Sequence, residues 1–142
     1  MKQIIKLLKE DEEIMSSFLT MKELRPNIEE EKYLSLIKEL EEISNYQLLG
    51  VQKGDRIEAV AGFRISKSIA WGKYLYIDDL VTLPGNRSEG AGKLMLDWLC
   101  KYAKEHDCNR LDLDSGVQRF GAHRFYLRER MDILCYHFVK TL

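Results

Sequence analysis

Ile77-Asp-Asp-Leu-Val-Thr-Leu-Pro-Gly-Asn-Arg-Ser-Glu-Gly-Ala-Gly-Lys93 decides the reading of this chain. Its first half is apolar and β-branched, the composition of a strand. Pro84-Gly85 breaks it. Arg87-Ser88-Glu89-Gly90-Ala91-Gly92 then leads into a segment with helical spacing. A strand, a glycine-rich loop and a helix start make an anion cradle. Successive main-chain N–H groups point into the loop, with the positive end of the helix dipole behind them. Gly90 and Gly92 carry no Cβ, so a phosphate can approach the backbone. Lys93 stands in the first helical turn, where a cation is unfavourable to the dipole unless an anion is near. Two common phosphate patterns are absent. Leu94 follows Gly92-Lys93 where a P-loop needs Ser or Thr, and no Gly-x-Gly-x-x-Gly occurs. The structural alternative is a glycine-lined turn before an ordinary helix.

Arg87-x-x-Gly90-x-Gly92 resembles the Gln/Arg-x-x-Gly-x-Gly/Ala motif of the GCN5-related N-acetyltransferases, whose loop holds the pyrophosphate of acetyl coenzyme A. The resemblance implies coenzyme contacts from Leu80, Val81 and Thr82 on the strand. It implies the same for Arg87, Ser88, Glu89, Gly90, Ala91, Gly92 and Lys93 in the loop and helix start. Ala122-His-Arg-Phe-Tyr126 resembles the family's Ala-x-x-Phe-Tyr and implies that Tyr126 protonates the departing coenzyme thiolate. A phenol of pKa ≈ 10 is a suitable acid for that task; a core tyrosine with its hydroxyl bonded is the structural alternative. There are two departures from the family pattern. Arg119 replaces the Asn often found three residues before Ala122, so Arg119 or Arg124 becomes the candidate phosphate partner. Arg130-Met131 replaces the common Gly-Phe after the helix.

An amine acceptor must lose a proton. Asp78 and Asp79 interrupt an apolar strand, and strict alternation would turn them to opposite faces. Asp78, nine residues before Arg87, matches the place where some polyamine-acetylating relatives carry a Glu, which makes it the candidate base. Structural carboxylates at a strand end are the alternative reading. Asp112 and Asp114 are weaker candidates, and His123 adjoins the tyrosine motif. Trp71 either lines an acceptor pocket or covers the sheet. Cys100 and Cys135 sit in apolar patterns and read as buried small hydrophobes.

With 142 residues and 45% hydrophobic composition the chain suits one domain. Its 22 Lys and Arg against 23 Asp and Glu give no basic field for nucleic acid. No apolar run reaches the ~20 residues of a membrane span, and the charged N-terminal stretch is no signal peptide. Three cysteines and three histidines without ligand spacing argue for reduced thiols, no metal and a cytoplasmic setting.

The pattern predicts strands at 3–8, 46–52, 57–65, 74–83, 110–114 and 132–139. It predicts helices at 11–24, 27–43, 91–104 and 120–129. Lys53-Gly54-Asp55 reads as a hairpin turn, 66–73 as a loop, and Gly62 as a bulge or close-approach point. The expected fold is α/β (α+β): one acetyltransferase-like domain over 1–142, a mixed sheet flanked by helices, in the order β-α-α-β-β-β-α-β-α-β. The resemblance implies direct attack of an amine on the thioester. Main-chain N–H groups of 80–82 are the natural donors to the resulting oxyanion. The acceptor would be a small molecule or peptide, the protein a possible homodimer, with no nucleic-acid or membrane partner. A non-catalytic coenzyme-binding sensor of the same fold is the alternative.

Overall fold

The computed structural model describes residues 2–85 and 90–142. Arg87, Ser88 and Glu89 of the expected coenzyme loop lie outside the described residues. Among the described residues the elements follow in order: β1 (Gln3–Leu8), α1 (Asp11–Ser16), α2 (Phe18–Leu24), α3 (Glu30–Ser44), β2 (Gln47–Lys53), β3 (Arg56–Ser68), β4 (Gly72–Thr82), α4 (Ala91–Glu105), β5 (Arg110–Leu113) and α5 (Phe120–Arg128). The chain forms two compact units, Met1–Asp112 and Leu113–Leu142.

The sheet runs β1-β2-β3-β4-β5, with the first four strands antiparallel to their neighbours. One face packs on α1 to α3 through Leu8, Ile14, Phe18, Met21, Tyr33, Ile37, Leu48, Ile57, Val60 and Val81. The other packs on α4, where Phe63 meets Trp98 and Tyr102 at 6.3 and 5.4 Å between ring centres. The β2–β3 turn follows the sequence reading, with Gly54 at φ 67°.

Several expectations are corrected. The helix expected over 11–24 is two helices. Ser17 at the junction is fully buried and turns its hydroxyl to Ile14 O (2.6 Å) and Tyr33 Oη (2.7 Å). A hydroxyl bonded back to the backbone competes with helical pairing. The second long helix starts at Glu30, not at 27, and no side chain caps it. Strands β3 and β4 extend into the expected loop, leaving only 69–71 between them. Cys135 is exposed and Cys100 half-buried, so neither is a buried core residue.

The final strand expected over 132–139 is absent, so the order ends on α5. The local sequence has strand propensity, but a strand exists only when paired. Residues 132–142 are all exposed, including Ile133, Leu134, Tyr136, Phe138 and Val139.

Candidate active site

The first unit carries the β4 irregularity and the start of α4. In the β3–β4 ladder Gly62 faces Asp79 and Phe63 faces Ile77, so no residue of β3 stands opposite Asp78 in the register. The extra residue is a bulge, and bulges re-aim side chains. Arg64 Nε donates to Asp78 Oδ2 at 2.9 Å, with Tyr76 under its guanidinium at 4.8 Å. Tyr46 donates its hydroxyl to Asp79 Oδ2 at 2.6 Å, and Arg25 Nε donates to Asp79 Oδ1 at 2.9 Å. Arg25 also donates to the main-chain oxygen of Asp78 at 3.0 Å.

Strict alternation of the two carboxylates is therefore overturned. Gly62 and Arg64, two apart on β3, share a face. The Tyr46 hydroxyl lies 1.6 Å from where a Gly62 Cβ would stand. Both aspartates are thus held by groups on one face of β3. Burial first, and Asp79 beside it, push the Tyr46 phenol well above its ordinary range, so it stays a donor. Asn45, in the left-handed region at φ 56°, caps α3 and turns the chain directly into Tyr46. Sequence reasoning missed Arg25, Tyr46 and Arg64. The signal was present in the two carboxylates set in an apolar strand, because half-buried charge needs partners.

Beyond the bulge, Leu80, Val81 and Thr82 pair with Ala61, Val60 and Ala59. In an antiparallel ladder alternate residues turn both main-chain groups to the same neighbour, so at least one N–H of the three points away from β3. The Leu83 N–H donates to Glu58 O at 2.8 Å and closes the ladder. Gly90 precedes α4 at φ 80°, ψ 10°, and Leu94 N–H donates to its carbonyl at 3.0 Å. Among the described residues a Cβ built on Gly90 meets nothing within 4 Å. Glycine therefore serves both the left-handed backbone and an open approach. Among the described residues no side chain caps α4, and the first-turn N–H groups of Ala91 and Gly92 have no acceptor within the helix. That donor set fits the pyrophosphate of a coenzyme A thioester. Lys93 Nζ stands 3.4 Å from Asp97 on the exposed side of α4.

Asp112 accepts Arg110 through both oxygens at 2.6–3.1 Å. Trp71 is covered by the Arg110 guanidinium at 4.2 Å. Among the described residues no group of three His, Cys, Asp or Glu side chains is placed to hold a metal, and no helix is long and apolar enough to cross a membrane.

The second unit holds Arg119, Asp114, His123 and Tyr126. Arg119 precedes α5. Tyr126 is buried on that helix; burial raises its phenol pKa, while the Arg119 charge works against the rise. His123 lies one turn earlier, its Nε2 buried without a hydrogen-bond partner among the described residues. Asp114 pairs with His137 at 2.7 Å.

The acetyltransferase (GNAT) family model matches residues 3–131. An uncharacterized N-acetyltransferase of Bacillus subtilis, YhdJ, is 36% identical over 122 residues, 86% of each chain. The aminoalkylphosphonate N-acetyltransferase of Salmonella typhimurium is 35% identical over 66 residues, 46% of this chain and 43% of that one. The solved structure of AAC(6')-Iy with the bisubstrate analogue CoA-S-monomethyl-acetylneamine superposes with a TM-score of 0.84 at 11% identity, covering 100% of this chain and 99% of that one. The mixed sheet, the glycine-opened helix and the family match over nearly the whole chain agree: the protein belongs to the GNAT acetyltransferase family.

Proposed function

We propose that the protein is an N-acetyltransferase that moves an acetyl group from acetyl coenzyme A to a primary amine of a small molecule or peptide, in the cytoplasm and as a homodimer. The observation that carries this reading is Gly90, left-handed at the start of α4, with no described atom within 4 Å of where its Cβ would stand, within a chain of this family. The main-chain N–H groups of 90–93 hold the pyrophosphate, with Arg87, Ser88 and Glu89 completing the loop and Arg119 as a further phosphate partner. Acetyl coenzyme A supplies an acyl thioester open to direct attack. Asp78, oriented by Arg64, holds the acceptor ammonium and takes its proton. A main-chain N–H of 80–82 directed away from β3 donates to the acyl oxygen. Tyr126, kept protonated by burial, gives its proton to the sulfur. The bisubstrate complex of AAC(6')-Iy and the aminoalkylphosphonate relative support an amine as acceptor.

The test compares wild type with Gly90→Asp. At a hundredfold excess over Kd, acetyl coenzyme A should stabilise the wild type by ~2.7 kcal/mol, and the folded variant should lose that shift. An amine panel read by thiol release then names the acceptor. Equal shifts in both proteins refute the loop assignment. A wild-type shift without turnover on any amine favours the coenzyme-binding sensor.

A further inference from the structure

We propose that the acceptor is a zwitterion: a primary amine carrying a carboxylate or phosphonate one or two carbons away, with its ammonium on Asp78 and its acid group on Arg25. This deepens the acetyl-transfer reading and rests on it for the role of Asp78. The ammonium has one place to sit. Asp79 is closed, its Oδ1 taken by Arg25 at 2.9 Å and its Oδ2 by Tyr46 at 2.6 Å, with the side chain 15% exposed. Asp78 is more open at 32% and takes Arg64 Nε on Oδ2 at 2.9 Å. A carboxylate offers about four lone-pair sites over its two oxygens, so Asp78 keeps room for an ammonium. The carbonyls of the α2–α3 connection are spent as well, because Lys22 Nζ donates to Pro26 O and Ile28 O at 3.2 Å.

Arg25 supplies the place for the acid. Its guanidinium is anchored at two points, Nε on Asp79 at 2.9 Å and Nη2 on the Asp78 carbonyl at 3.0 Å. A guanidinium carries its N–H donors in a fixed planar fork. Among the described residues the pair on Nη1 has no acceptor, and the side chain is 50% exposed. The open edge is thus held in place before any ligand arrives, which lowers the ordering cost of binding. A fork of this kind matches the oxygens of a carboxylate or phosphonate pairwise. Arg25 grips the carbonyl of the same residue whose carboxylate takes the ammonium, so the two places adjoin. Charge decides the class of amine. Asp78 is balanced by Arg64, and Asp79 by Arg25. A simple ammonium would leave this cluster with one excess positive charge, and a diamine would leave two. A zwitterion leaves none, and near a protein surface such charges interact more strongly than in bulk water.

Two matched series of amines, read by thiol release from acetyl coenzyme A, test the proposal. Glycine, aminomethylphosphonate, glycinamide and diaminoethane place the second group one carbon from the amine. β-Alanine, aminoethylphosphonate, β-alaninamide and diaminopropane place it two carbons away. In at least one series an acidic amine should exceed the amide by ~10-fold or more in kcat/KM, the contribution of a hydrogen bond to a charged group, and the diamine should be poorest. Carboxylate against phosphonate then names the acid. Arg25→Gln should abolish the preference. Arg25→Lys keeps a charge beside Asp79 but no fork, so it should reduce the preference, and it keeps the test valid if the Gln variant unfolds; circular dichroism checks both. Calorimetric binding of the same amines to the protein with coenzyme A gives a readout independent of turnover. Acidic amines that bind wild type more tightly than the Arg25 variants, yet are never acetylated, uphold the zwitterion site and refute the transfer reading. A preference for the amide or the diamine overturns the proposal. So does a preference undiminished in the folded Arg25 variants, or a protein that takes up coenzyme A but binds no acidic amine.

Discussion

Gly62→Ala is the sharpest perturbation of the bulge. The added Cβ would stand 1.6 Å from the Tyr46 hydroxyl, 2.3 Å from its Cζ and 2.8 Å from its Cε1. All are closer than carbon can approach, and Tyr46 is only 4% exposed. The ring must therefore move into packed surroundings, and its bond to Asp79 breaks. A hydrogen bond to a charged group contributes ~1.5–3 kcal/mol. Overpacking costs a further ~1–3 kcal/mol, and removing a strand glycine returns ~0.5–1 kcal/mol. The net expected loss is ~2–5 kcal/mol, read from urea unfolding. Tyr46→Phe alone should lose only the hydrogen bond. In the double variant that bond is lost once, so the sum of the single effects should exceed the double by ~1.5–3 kcal/mol. A Gly62→Ala protein within ~0.5 kcal/mol of wild type, or strictly additive effects, would refute the packing of Tyr46 over Gly62.

Asp78→Asn should lower kcat/KM for the amine by ~10²–10⁴-fold and leave coenzyme affinity unchanged; unaltered kinetics across the pH range would remove it from the chemistry. Tyr126→Phe should lower kcat by ~10²-fold, less with an acyl donor whose thiol is more acidic; wild-type kcat would make it a packing residue. Tyr33, buried against Ser17, has its phenol pushed up to about 12. The folded state holds that proton more tightly, so this contribution is complete below pH ~10 and fades as pH rises toward ~12. It amounts to ~3 kcal/mol. Tyr33→Phe should flatten alkaline unfolding over that window, and an unchanged slope would count against the buried phenol.

The β4–loop–α4 unit was legible because its signals are local: a β-branched run, a Pro-Gly break, then glycines opening a helical period. Gly62 was legible too, since a strand rarely carries glycine without a bulge or a close neighbour, and here it has both. The direction of Asp78 was not. It depends on one extra residue in a ladder and on Arg64, 14 positions away, as its neighbour Asp79 depends on Tyr46 and Arg25, 33 and 54 positions away. Residues 132–139 show the same limit from the other side, because propensity describes a segment and pairing describes two. Ser17 splits a helix whose apolar spacing is continuous, for the sake of a hydroxyl partner on α3.

Asp79 is held by two donors that respond differently to ionic strength. The Tyr46 leg is neutral on the donor side and enclosed. The Arg25 leg is a charge pair whose arginine side chain is 50% exposed. At 1 M salt the screening length falls to ~3 Å, about the length of the bond itself, so the arginine leg weakens while the tyrosine leg persists. Because Arg25 also grips the Asp78 carbonyl and stands at the end of α2, salt loosens the link between that helix and the bulge without unseating Asp79. Brine therefore separates two properties that dilute buffer keeps together: the set of the carboxylate and the set of the α2–α3 connection.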